Sequence, residues 1–439
     1  MQKEKDPKTF FIRTYGCQMN ELDTEIMIGQ LAKKGLTRVH TEEEGDILIY
    51  NTCSIRDLAE RKVMGKLGVL GRDKSREKII GVTGCMAMAK KDSLFKKVPH
   101  LDFVLGTNNI SNLGAVLDEV IHTGKQKAIT DKAFEEDLDY LVAKRDNKLS
   151  AHVSIIRGCD KYCTYCVVPY TRGREVSRPY NDIIEEVKQL VDQGYKEITL
   201  LGQNVNSYGK DKKEWNVLFH DLLEQIDKTG INRVRFLTSH PVDITKDLME
   251  AVRDLPSLCE FVHFPMQAGS DRILKKMHRI YTLEEYFDKV AMLKEIVPKV
   301  ALGTDMIVGF PTETDEEFEE TYANMERVDY AIAFLYTYSP RKGTPAMRFK
   351  DDISDEVKGQ RLQRLADLHK RQTSEQRAGM IGDTFEVLFE GRNERGQLKG
   401  RTRCWRKIIA EGNESLVGNL GNVKVDSFLN ETLIGTLVN

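Results

Sequence analysis

Cys159, Cys163 and Cys166 stand in the run Arg157-Gly158-Cys159-Asp160-Lys161-Tyr162-Cys163-Thr164-Tyr165-Cys166, a C-x3-C-x2-C spacing on an expected loop. A tight loop of this kind can bring three thiolates onto one face of a cubic iron–sulfur cluster, where thiolates are the usual ligands. Three ligands for four irons leave one iron open to bind another molecule. That open iron separates a reactive cluster from a simple electron carrier. The competing reading is a zinc loop, although such loops favour C-x2-C pairs and a fourth protein ligand that closes the tetrahedron. No fourth Cys or His follows nearby.

Three more cysteines form a second pattern, far apart in sequence. Cys17 follows the expected strand Phe10–Tyr15, Cys53 follows Asp46–Asn51, and Cys85 follows Lys78–Thr83. Helical stretches, Glu21 to Lys34 and Asp57 to Leu70, separate these strands. Alternation of this kind predicts a parallel sheet flanked by helices, and ligands in such sheets bind beyond the C-terminal strand ends. Three cysteines at equivalent strand ends should therefore converge on one edge and hold a second three-ligand cluster. A buried structural cysteine is the ordinary alternative for any one of them.

A chain of 439 residues with 40% hydrophobic content has material for several cores, since single cores rarely grow past roughly 250–300 residues. The expected division is an N-terminal parallel-sheet domain (1–125), a linker (126–147), a central domain (148–372) and a small C-terminal domain (373–439). The central part offers about six strands: Val153–Ile156, Glu197–Leu201, Val234–Leu237, Phe261–Phe264, Val300–Met306 and Phe334–Tyr338. Joined by helices, they predict a partial β/α barrel. The last part carries short alternating strands with glycine-rich turns, the pattern of a small antiparallel β-barrel. The fold class is α/β throughout the first two domains.

Net charge is −2, so nothing global announces a nucleic-acid partner. Locally, the segment from Arg392 to Lys407 holds seven cations against one acid, Glu394. Such a patch can attract phosphates; alternatively it is a solvated face. Arg401, Arg403 and Arg406 are the candidate phosphate contacts, and Trp405 is a candidate base-stacking residue. No apolar run approaches the ~20 residues of a membrane span, and the charged start of the chain lacks a signal-peptide pattern. Eight cysteines in such a chain fit metal-bound thiolates in a reducing cytoplasm better than disulfides. His240 and His263 read as structural histidines, Cys259 as core and Cys404 as incidental.

The run from Ile156 to Pro179 resembles the radical S-adenosylmethionine superfamily, and more narrowly the MiaB-type tRNA methylthiotransferases. Tyr15-Gly16-Cys17-Gln18-Met19-Asn20 and Asn51-Thr52-Cys53-Ser54 are similar to that family's N-terminal motifs. The C-terminal segment resembles its RNA-holding TRAM domain. The resemblance implies two [4Fe–4S] clusters. One, on Cys159, Cys163 and Cys166, would chelate S-adenosylmethionine and cleave it to a 5′-deoxyadenosyl radical; the other, on Cys17, Cys53 and Cys85, would be auxiliary. It also implies that Tyr165 lies against the adenine. Gln203 and Asn204, Gln267 and Ser270, and Ile307 and Gly309 would line the cofactor pocket. Catalytic residues beyond the cluster ligands are not implied. Several positions depart from the family wording, among them Met88, Phe264, Met266, Ala268, Thr312 and Cys404-Trp405.

What the resemblance implies about activity is methylthiolation at C2 of an N6-isopentenyladenosine beside the anticodon of tRNA. The electron donor would be one such as flavodoxin or ferredoxin, and no membrane is involved. Related enzymes act on threonylcarbamoyladenosine or on a ribosomal protein, and both remain alternatives. The non-enzymatic alternative is an RNA-binding protein whose cysteines hold zinc.

Overall fold

The computed structural model describes residues 7–54, 57–72, 78–91, 93–131, 145 and 147–438. Residues 132–144 and 146 of the expected linker lie outside the described residues.

The N-terminal domain is a six-stranded, all-parallel sheet. Its strands are β1 (Thr9–Tyr15), β2 (Thr37–Arg38), β3 (Ile47–Thr52), β4 (Ile79–Thr83), β5 (Phe103–Leu105) and β6 (Lys127–Ile129), in the order β2-β1-β3-β4-β5-β6. Both faces are covered. Phe10, Ile12, Ile47 and Ile49 point into one apolar cluster, while Phe11, Leu48 and Tyr50 point into the other. This two-sided burial explains the continuous apolar run of β3, all six residues of which are buried. β6 falls inside the segment expected as a linker. It pairs with β5, with Ile129 and Ala128 packed against the two cores, but carries no apolar run, so its place at the sheet edge makes it a strand.

The central domain contains β7 (Ser150–Ser154), a two-residue ladder of β8 (Ile156–Arg157) with β9 (Val176–Ser177), and then β10 (Glu197–Leu201), β11 (Arg233–Phe236), β12 (Phe261–His263), β13 (Ala301–Val308) and β14 (Ile332–Thr337). Hydrogen bonding gives two parallel triplets, β11-β10-β7 and β12-β13-β14. A parallel bridge between Val234 and Leu258 joins them. The result is the expected open half-barrel of six strands in chain order, wrapped by helices such as Tyr180–Asp192, Leu283–Ile296 and Asp315–Val328. Leu201 also packs into the N-terminal domain's core, so the two domains share apolar surface.

The helix Asp355–Gly379 is capped by Ser354, whose hydroxyl accepts from the Val357 amide. It runs unbroken through the expected limit at 372/373. Leu365 and Leu368 pack into the central core, whereas Arg377, near its end, sits 5.8 Å over the Phe428 ring of the next domain. That domain is a closed five-stranded barrel of β15 (Thr384–Arg392), β16 (Leu398–Thr402), β17 (Lys407–Ala410), β18 (Leu420–Leu429) and β19 (Thr432–Val438). Four of its pairings are antiparallel as expected, but β17 and β19 pair in parallel to close it.

Candidate metal centres and nucleic-acid interface

The loop that carries Cys159, Cys163 and Cys166 is closed at its base by the β8–β9 ladder. Gly158 makes the turn at φ +77°, and a Cβ there would lie 1.9 Å from the Arg174 carbonyl oxygen, so only glycine fits. The Gly158 amide donates to Gln203 Oε1 at 2.6 Å, and Thr164 is tied to the carbonyls of Lys276 and Met277. These bonds fix the loop from two sides. The three thiols are near enough to raise one another electrostatically. Burial pushes Cys159 up and lifts Cys166 to about 12.

The other three thiols converge as the strand-end argument expects. Cys17 caps the helix Gln18–Lys33, the Cys53 amide donates to the Tyr15 carbonyl at 2.8 Å, and Cys85 opens the helix Cys85–Lys90. Asn51 and Asn20 hold the first two loops together, with Asn51 Nδ2 donating to the Asn20 carbonyl at 2.8 Å. A hydrogen bond from Cys53 pulls the Cys17 thiol down to about 6; burial opposes this and the charge of Arg172 adds to it. Burial raises Cys85, which accepts a hydrogen bond from Arg172. The two sets approach each other, since Cys85 also acts on Cys166.

The donor chemistry fits iron–sulfur clusters. Asp23 is fully buried between two guanidiniums, Arg172 Nη2 at 2.9 Å and Arg157 Nη2 at 3.5 Å, themselves 4% and 2% exposed. Arg172 turns its positive charge toward the Cys17 and Cys85 thiols and acts to lower both. A [4Fe–4S] core in its 2+ state on three thiolates would carry a net charge of −1, which a buried guanidinium beside it would offset. At the loop, buried Arg279 donates from Nη1 to Cys163 Sγ at 3.4 Å. Each set therefore has its own buried guanidinium.

The expected cofactor residues lie at the strand ends, in varied settings. Tyr165 is packed beside Cys163, Arg279 and Tyr281. Asn204 Nδ2 donates to Asp243 Oδ2 at 2.8 Å, and Lys161 and Lys210 reach the same carboxylate at 2.7 Å. Burial alone would raise Asp243, but these donors hold it below its ordinary value. Gln267 sits at φ +74° and brackets β13, its amide donating to Asp305 and its carbonyl accepting from Ile307. Ser270 Oγ is engaged with Glu317 at 3.0 Å. Gly309, at φ +67°, faces Lys358 rather than open space, since a Cβ there would meet Lys358 Cγ at 2.3 Å. Cys259 is core as expected, at 1% exposure. His240 is a helix cap whose Nδ1 accepts from the Val242 amide. Sequence reasoning missed Asp23, Arg172, Asp243 and Arg279. Arg172 lies inside the quoted run, but spacing carries no sign that it crosses to another domain.

The expected phosphate contacts need correction. Arg406 is 6% exposed, and its Nη1 donates to the Ala331 carbonyl at 2.9 Å. Arg403 Nε donates to Glu260 at 2.9 Å and its Nη2 to the Leu258 carbonyl. Trp405 lies 5.2 Å from the Phe261 ring with Arg235 4.7 Å over its face. Arg233 donates to the carbonyls of Arg401 and Glu386, and Arg235 to those of Thr402 and Arg403. The turn after β16 thus plugs the N-terminal end of the half-barrel, opposite the cysteines. Arg403, Trp405 and Arg406 dock domains, and Arg401 is half-exposed beside Glu390. Arg395, Lys399 and Lys407 keep their exposure. A charge run cannot separate a guanidinium facing solvent from one facing a neighbouring domain.

Comparison with known proteins agrees with this layout. A profile of an uncharacterized protein family, UPF0004, matches residues 9–106, and one of the radical SAM superfamily matches residues 153–325. The chain is 66% identical over 433 residues to the tRNA-2-methylthio-N(6)-dimethylallyladenosine synthase of Protochlamydia amoebophila, covering 98% of this chain and 96% of that protein. The enzyme of the same name from Clostridium botulinum is 45% identical, covering 95% and 94%. Among solved structures, the radical S-adenosylmethionine methyltransferase TsrM from Kitasatospora setae superposes with a TM-score of 0.58 at 12% identity, over 78% of this chain and 77% of that one. That likeness shows the fold alone. With near-complete coverage and two thirds identity to the first of these relatives, the chain belongs to the tRNA-2-methylthio-N(6)-dimethylallyladenosine synthase family within the radical S-adenosylmethionine superfamily.

Proposed function

We propose that this chain inserts a methylthio group at C2 of N6-dimethylallyladenosine beside the anticodon of tRNA. The observation that carries the reading is the pair of three-cysteine sets, each with a buried guanidinium, facing each other across one domain boundary. The names of the relatives support it. When bound, S-adenosylmethionine on one [4Fe–4S] cluster supplies a hydrogen-abstracting radical, and the second cluster supplies the sulfur centre.

This chain's residues hold and orient. Cys159, Cys163 and Cys166 hold the first cluster; Cys17, Cys53 and Cys85 hold the second. Gln203 fixes the loop through the Gly158 amide. Asn204 and Asp243 form a polar end beside Lys161, suited to an amino-acid moiety, and Tyr165 supports the adenine. The N-terminal, central and C-terminal domains then correspond to sulfur chemistry, radical chemistry and RNA grip. On the barrel, Arg395 and Lys399 are exposed cations suited to meet phosphate. Flavodoxin or ferredoxin serves as electron donor, in the cytoplasm. Among the described residues no helix is long and apolar enough to cross a membrane.

The test is nucleoside mass spectrometry on tRNA incubated anaerobically with cluster-loaded protein, S-adenosylmethionine and reductant. The expected gain is a methylthio group on N6-dimethylallyladenosine. Product on threonylcarbamoyladenosine or on ribosomal protein instead would overturn the reading.

A further inference from the structure

On the inner face of the β13–β14 pair two aromatic rings remain exposed. In a parallel pair, facing residues point to the same side. The register sets His263 against Gly303, Asp305 against Phe334, and Ile307 against Tyr336. His263 confirms this as one face: its ring lies 6.2 Å from Phe334, and its Nε2 is 3.3 Å from Asp305 Oδ2. The alternate residues of β13, Leu302, Thr304, Met306 and Val308, are all buried. Yet Phe334 is 42% exposed and Tyr336 is 36% exposed. Single exposed apolar residues are ordinary. Two aromatics two positions apart, on the inward face of a half-barrel and beside buried His263 and the partly exposed Asp305 carboxylate, are a different matter. Among the described residues β14 has no strand on its outer edge, so this surface borders the lateral opening.

The surface is continuous with the cysteine loop. Arg279 touches Cys163 Sγ at 3.4 Å and the Pro265 carbonyl at 3.4 Å. Two residues on, Gln267 brackets Asp305 and Ile307 through its backbone. A ligand lying on Phe334 and Tyr336 would therefore have one edge toward the loop.

We propose that Phe334, Tyr336 and Asp305 form the seat of a neutral N6-alkylated adenine. The rings stack on the base and its alkyl group, and the Asp305 carboxylate accepts from the single N6–H that alkylation leaves. This rests on the tRNA reading above and narrows it. The Asp305 carboxylate disfavours a threonylcarbamoyl group, whose own carboxylate would face it across a partly desolvated site. His263 Nε2 lies 3.3 Å from Asp305 Oδ2, and the carboxylate keeps 27% of its surface exposed.

The test measures binding of three anticodon stem-loops to the cluster-loaded full-length protein. They differ at one adenosine: unmodified, N6-dimethylallyl or N6-threonylcarbamoyl. The wild type should prefer the dimethylallyl stem-loop over the unmodified one. Phe334→Ala should cut that preference about tenfold, the loss of one aromatic stack, and Phe334→Tyr should keep it. Asp305→Asn should raise relative affinity for the threonylcarbamoyl stem-loop. A Phe334→Ala protein with the wild-type preference, or an Asp305→Asn protein with unchanged discrimination, overturns the seat while leaving the tRNA reading intact. A wild type with no preference for the alkylated stem-loop overturns both.

Discussion

Cys159, Cys163 and Cys166 lie within eight residues of one loop, whereas Cys17, Cys53 and Cys85 come from three strand ends spread over the first 85 residues. The first set is positioned locally: a two-residue ladder closes the loop, and bonds to residues of the same domain pin it. The second set depends on the register of a whole parallel sheet. Their counter-charges differ in the same way. Arg279 comes from the domain that owns its cysteines, but Arg172 reaches Cys85 and Asp23 from the neighbouring domain. The loop set is thus self-contained, and the strand-end set is complete only when two domains are docked.

The sharpest break of this comparison comes from removing the ligands. Replacing Cys159, Cys163 and Cys166 with Ala should abolish 5′-deoxyadenosine formation and halve the iron content from roughly eight per chain. Replacing Cys17, Cys53 and Cys85 should halve the iron equally but leave some cofactor cleavage, with no methylthiolated product. Product from the second variant would refute separate duties for the two sets.

A smaller effect separates the counter-charges. Arg172→Met should cost about 3 kcal/mol, because it strips a buried carboxylate of one partner. It should also lower iron retention at the strand-end set when the loop cysteines are absent. Arg279→Met should act on the loop set alone. Thermal melts and iron assays on each background check this, and equal effects on both sets would dissolve the distinction.

The weakest effect should come from the barrel. Lys399→Ala with Arg395→Ala should leave stability unchanged and flatten the salt dependence of tRNA affinity by roughly one unit of slope per lost phosphate contact. Arg403→Ala should do the reverse, lowering stability with little change in slope. Affinities at several salt concentrations distinguish the two outcomes.

Much of the molecule was legible in the sequence because its signals are local. Five of the six half-barrel strands fall within two residues of where apolar runs placed them, β7 starts three residues earlier, and both cysteine sets come together as spacing and strand-end position place them. What escaped is tertiary. β6 is a strand because an edge was waiting for it, and the helix Asp355–Gly379 bridges two domains that composition divides. Arg406 and Trp405 look like an RNA-facing surface in one dimension and are an interdomain plug in three. Phe334 looks like core and is exposed, since alternation identifies a strand's two faces but not whether the inner one is filled.

The plug has an evolutionary corollary. Arg233 and Arg235 grip the turn by the carbonyls of Glu386, Arg401, Thr402 and Arg403, and every residue type supplies a carbonyl. Those four bonds are blind to side-chain identity. At these four bonds the burden falls on the two arginines, whose rigid forks lysine cannot imitate, beside the side-chain contacts of Arg403 and Arg406. Drift should be tolerated at half-exposed Arg401 more readily than at Arg233 or Arg235, so the barrel's outer surface can change without unfastening it from the central domain.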